Sequence, residues 1–135
     1  MDKLPHYGTV LLVTHGLVSL LHDIAHRSLG IELSLVQLLY VYLVFVIAPI
    51  LSLVFLWTRR PRAGSVFLLL SMVGSLIFAG LNHFVIRSND HVLHVPEAAG
   101  RSMFQITAIL MALIEAIGSG FAFRALLKTN LRTPA

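Results

Sequence analysis

His15, His22 and His26 recur at i, i+7 and i+11 in an otherwise apolar stretch. On an α-helix they would stack on one face within about 40°. Such a file cannot face lipid, because even permissive insertion scales assign about 2.5–3.5 kcal/mol to an ionised side chain at the bilayer centre. The stripe must turn toward protein, water or a bound ion, which restricts the chain to folds with a polar interior.

Hydrocarbon is the expected surroundings because 57% of the 135 residues are hydrophobic and only 12% are charged, with a mean hydropathy of +0.86. Soluble domains carry about 25% charged residues. Apolar stretches over 9–26, 33–57, 64–86 and 103–127 are each long enough to cross a ~30 Å core as helix. The expected fold is an all-α integral membrane protein, a four-helix transmembrane bundle forming one domain over 1–135. The first stretch reads as a permanent span rather than a signal peptide. Lys3 is its only clear basic residue, His15 and His22 interrupt any compact apolar region, and no small-residue cleavage site follows. Pro5 and Gly8 are read as an irregular approach to that span.

In a soluble protein the net charge of +4 and pI of about 10.1 would point to nucleic acid. Distribution argues for a membrane instead. Arg59, Arg60 and Arg62 crowd the second connection, and Arg124, Lys128 and Arg132 follow the last span. Basic residues at membrane flanks mark the cytoplasmic side. Both termini are therefore expected in the cytoplasm of a cell whose inner (plasma) membrane holds the chain, although Arg27, Arg87 and Arg101 make the bias incomplete. The lipid bilayer is the expected partner, alone or with further copies or a larger complex, and nucleic acid is not.

This topology puts His22, Asp23 and His26 near the outer surface, together with His83 and a connection carrying Asp90, His91, His94 and Glu97. The i, i+4 pair His22 and His26 directs two imidazoles to neighbouring positions. Asp23, His83, Asp90, His91 or His94 would supply the remaining ligands of a metal ion. With no cysteine in the chain, such nitrogen and oxygen coordination suits zinc, iron, manganese, nickel or copper(II). His26 and His83 share a level about 16 Å along the helix from His15 and are the expected ligands if the group is haem, for which no attachment motif is present.

The run His22-Asp23-Ile24-Ala25-His26 departs from the H-E-x-x-H metalloprotease pattern at its general base, where aspartate replaces glutamate. His22-x3-His26 and His91-x2-His94 resemble in spacing two of the histidine boxes of membrane di-iron hydroxylases and desaturases. The likeness covers those two short pieces, and a further box is missing.

A second tier lies deeper. His15 and Glu115 fall within about 3 Å of one level when counted from the span centres. Ala108, Ala112, Ser119 and Ala122 give the Glu115 face the small side chains that allow close helix packing. Ser71, Ser75, Ala79 and Asn82 share a face in the third span, and Ser71 or Ser75 compete with His15 as partners for Glu115. Tyr40, Tyr42, Phe45 and Trp57 read as packing or interfacial aromatics. No catalytic residue can be assigned. The expected function is binding or handling of a transition-metal ion at the non-cytoplasmic face, coupled to the His15/Glu115 pair. The alternatives are a structural or assembly subunit without its own cofactor and a small haem- or metal-dependent redox protein.

Overall fold

The computed structural model describes residues 3–130. Four helices in it are long and apolar enough to span a membrane: α1 (Leu4–Ser28), α2 (Leu35–Leu56), α3 (Pro61–Val85) and α4 (Arg101–Asn130). No strand occurs among the described residues. Arg132, counted above with the basic tail, lies outside them.

The helix starts correct one sequence expectation. Pro5 does not mark an irregular approach, because α1 already begins at Leu4 with Pro5 in its first turn, and α3 begins on Pro61 in the same way. A proline there forfeits nothing, since first-turn N–H groups have no acceptor inside the helix. α1 ends in a Schellman arrangement: Gly30 N–H donates to Arg27 O at 3.2 Å and Ile31 N–H to His26 O at 3.1 Å, with Gly30 at φ 65°. α2 opens on a capping box in which Gln37 N–H donates to Ser34 Oγ at 3.3 Å and Ser34 N–H to Gln37 Oε1 at 2.9 Å.

Two helices are interrupted by π-helical turns, Tyr42–Ile47 in α2 and Leu81–Val85 in α3. The first has a cause in Pro49. Ala48 N–H bonds Leu43 O, so the ladder has slipped to i+5, and Val44 O would next look to Pro49, which has no N–H. Ser71 Oγ–H supplies that carbonyl from α3 at 3.0 Å. In the second π turn Ile86 N–H reaches Leu81 O at 2.8 Å, and the Asn82 amide donates to Phe78 O at 2.8 Å.

α4 packs antiparallel on both α1 and α3, and the register is readable from a few contacts. A Cβ on Gly118 would lie 2.6 Å from Met72 Sδ and 3.2 Å from Leu11 Cδ2, so α1, α3 and α4 touch at that level. Stepping one turn further along α1 brings His15, Ser75 and Glu115 together. Two further turns bring His22, His83 and Thr107 together. Apolar clusters close both ends of this sequence of levels: Leu12, Leu68, Met72 and Ala122 on one side, Ala25, Val95 and Phe104 on the other. α2 leans on α3 through Tyr40 Oη–H to Gly74 O (3.0 Å) and Ser52 Oγ–H to Gly64 O (3.0 Å). It meets α1 at the opposite end from the histidines, where Trp57 Nε1–H donates to Thr9 Oγ1 at 2.9 Å.

Candidate metal centre

His22 and His26 come from α1 and His83 from the π turn of α3, and one ring nitrogen of each lies within 4.8 Å of the others. All three are buried. Phe104 of α4 is packed against all three rings, with centroids 4.7, 5.2 and 5.3 Å from His22, His26 and His83.

The hydrogen bonds around two of these rings decide which nitrogen is free. Thr107 Oγ1 has one proton, and Met103 O at 2.6 Å and Phe104 O at 3.1 Å both accept it. The 2.6 Å bond to Met103 O makes that carbonyl the better acceptor of the proton, which leaves the hydroxyl oxygen to accept from His22 Nδ1 at 2.8 Å. His22 thus carries its proton on Nδ1, leaving a lone pair on Nε2, an atom that is buried and has no hydrogen-bond partner. His83 Nδ1 lies 3.0 Å from Asp90 O, a carbonyl that can only accept, so its lone pair is also on Nε2. An imidazole whose outer N–H is engaged in this way is oriented as a metal ligand.

Asp90 completes one side. Its Oδ1 approaches His26 Nε2 to 2.9 Å and His83 Nδ1 to 3.2 Å. Neither N–H is aimed at that oxygen, which remains without a hydrogen bond. The 2.9 Å spacing of His26 and Asp90 is that of a close pair, and Asp90 lies beside the three histidines without a donor atom inside the 4.8 Å group that they form. Burial pushes the Asp90 carboxyl up, but the approach of His26 and then His83 outweighs it and holds the group well below the usual carboxylate range. The loop that carries it is pinned by Val92 N–H to His83 O (3.0 Å) and Gln105 Nε2–H to Val92 O (2.7 Å).

The other candidate ligands stand apart. Asp23 faces outward and pairs with Arg27 Nε at 2.8 Å. His91 and His94 bond each other through their Nδ1 atoms at 3.1 Å, and Leu93 N–H also donates to His91 Nδ1. The structure does not bring these three residues to the triad. A haem held by His26 and His83 does not fit. The His22 ring is nearly equidistant from them, at 4.9 and 4.8 Å, and so is Phe104, which puts both rings in the plane that the macrocycle would occupy. A single ion does fit. A tetrahedral zinc needs nitrogens about 3.4 Å apart, so binding would draw the rings inward from their present spread.

Deeper in the bundle His15 Nε2 lies 3.0 Å from Glu115 Oε1, and the two residues are 1% and 0% exposed. The His15 ring also stacks on Phe45, with centroids 5.6 Å apart. Glu115 takes His15 as its partner rather than Ser71, which serves Val44 O. Ser75 Oγ and Glu115 Oε2 are buried without partners at the same level. Among the described residues five buried side-chain polar atoms lack a hydrogen bond, and they belong to Ser19, His22, Ser75, Asp90 and Glu115. Ser19, His22 and Asp90 line one cavity at the triad, whereas Ser75 and Glu115 are not part of its wall. Sequence reasoning missed Thr107 and Ser19, although Ser19 falls between His15 and His22 on the same helical stripe.

Compared with protein-family models, curated proteins and solved structures, the chain matches none of them.

Proposed function

We propose that the chain is an integral membrane protein that binds one transition-metal ion through His22, His26 and His83, with Asp90 as the fourth donor. The observation that carries this reading is His22 Nε2, a buried lone pair with no partner, held in that tautomer by Thr107. Leaving such an atom unpaired costs about 1–3 kcal/mol, and an ion would remove that cost. The donor set holds imidazole nitrogen and carboxylate oxygen without thiolate, which favours zinc or another first-row divalent ion over copper(I).

The basic residues between α2 and α3 and in the last turns of α4 support a cytoplasmic location for that end, with both termini inside and the triad toward the opposite face. The His15–Glu115 pair, about two helical turns from the triad, would serve as a polar relay to it. The deciding measurement is metal stoichiometry of gently solubilised, folded protein before and after His22→Ala/His26→Ala. One ion per chain is expected in the parent and none in the double variant at unchanged helical content. A parent protein that stays metal-free after reconstitution with zinc, cobalt, nickel, manganese and iron(II) would overturn the proposal and favour a structural subunit.

A further inference from the structure

A cavity of about 350 Å³ lies directly against the triad. α1 and α2 wall it on two sides, and α3 with Met111 of α4 forms its floor. It exists because α2 meets α1 near Gly8, Thr9 and Trp57 and again where Phe45 stacks on His15, and leaves a gap beyond that level, where the π turn widens α2. The edge between the two helices is left open. Its rim is made of Leu20, Leu38, Tyr42 and Val46, all substantially exposed, with the Asp23–Arg27 ion pair beside them. If the chain spans a membrane as proposed, these exposed apolar side chains face hydrocarbon and the cavity opens sideways into the bilayer.

The cavity has two chemically distinct ends. Toward the rim it is aliphatic, with the rings of Tyr42, Phe45 and Phe78 along one wall. Its inner end presents His22, His26, His83 and Asp90, together with Ser19. Two atoms there, His22 Nε2 and Ser19 Oγ, are buried and have no hydrogen-bond partner among the described residues. An apolar body with a few convergent polar groups is the general form of a small-molecule site, and this volume is near the small end of the usual range of about 300–1,000 Å³.

We infer that this cavity binds a membrane-dissolved molecule with a phenolic or quinol head, which enters between α1 and α2 and places its ring oxygen beside the metal. The inference rests on the metal reading above. Each part of the ligand answers to a part of the cavity. The aromatic wall suits a planar ring, because offset and edge contacts between rings stabilise it beyond simple burial. Ser19 Oγ and the bound ion call for an oxygen. Asp90, already buried beside His26, disfavours a second carboxylate in the same place. The aliphatic rim suits a hydrocarbon tail.

Cobalt(II) loaded into the full-length protein reports the site directly, because its visible bands respond to a change of ligand or geometry. Adding 4-hexylphenol should shift those bands saturably, whereas hexylbenzene, of the same shape without the oxygen, should leave them unchanged. Val46→Trp and Leu20→Trp fill the rim from two different helices without touching a proposed metal ligand. Each should retain one cobalt per chain and raise the half-saturating phenol concentration at least tenfold. A cobalt-loaded protein whose spectrum ignores 4-hexylphenol, or responds equally to hexylbenzene, would overturn this inference while leaving the metal reading standing. So would an unaltered phenol response in both tryptophan variants. Failure to bind cobalt or any other ion would remove the metal reading and this inference together.

Discussion

Thr107 has one hydroxyl proton, and what His22 can offer a metal depends on where that proton goes. Because Met103 O and Phe104 O take it, the oxygen is left to accept from His22 Nδ1, and Nε2 is bare. Removing a partner of this kind typically weakens metal binding about 10–100-fold. Thr107→Val should do so, whereas Thr107→Ser, which keeps the hydroxyl, should restore most of the affinity; competition against a chromophoric chelator measures both. The same argument from single atoms applies to the central pair. His15 and Glu115 are in contact, and contacting residues couple by about 0.5–3 kcal/mol in double-mutant cycles. Thermal stability of His15→Phe, Glu115→Gln and the double variant in one detergent should therefore be non-additive. Strict additivity with both single variants folded would mean that the 3.0 Å contact contributes nothing.

At the scale of the helices, both departures from α geometry flank the site. The π turn of α3 carries His83, and that of α2 carries Tyr42, Phe45 and Val46 of the cavity wall. Close approach at the other end depends on glycine. A Cβ on Gly64 would lie 2.6 Å from Leu56 N, a backbone atom that cannot swing aside, whereas one on Gly120 would meet nothing within 4 Å. Gly64→Ala should thus destabilise the α2–α3 contact by about 1–3 kcal/mol, the usual cost of overpacking. Gly120→Ala should be neutral or stabilising by up to about 1 kcal/mol, the helix-propensity gain. Thermal melts of the two variants side by side check the contrast. Equal melting temperatures would mean that α2 is free to move away from α3 at this point.

For the whole molecule the chief prediction is orientation. The chain has no cysteine, so single cysteines introduced at Ala63 and Asn89 can be read without background. In intact cells a membrane-impermeant thiol reagent should label position 89 and spare position 63, since Ala63 follows the Arg59–Arg62 cluster and Asn89 lies in the loop that carries Asp90. The reverse pattern would place the triad at the cytoplasmic face. Both cysteines labelling after detergent treatment shows that protection came from the membrane rather than from folding.

Hydropathy alone established four membrane-length helices, because a span is a local property: about 20 apolar residues suffice whatever surrounds them. Helical periodicity likewise put His15, His22 and His26 on one inward face, and counting along the axis put Glu115 level with His15. Boundaries were less legible, since Pro5 reads as a breaker until its place in the first turn is known. What periodicity could not decide was which loop residue reaches the stripe. Asp90, His91 and His94 are equivalent in the sequence as potential ligands. Their fates diverge because Val92 pairs with His83 and Gln105 grips Val92 O, a fold-back that turns Asp90 inward and leaves His94 exposed. Nor could sequence show that Thr107 sets the tautomer of His22 across 85 residues, or that α2 splays from α1 to leave a cavity. Those features depend on distances between helices, which are set by side chains far apart in the chain and come into being only when the bundle packs.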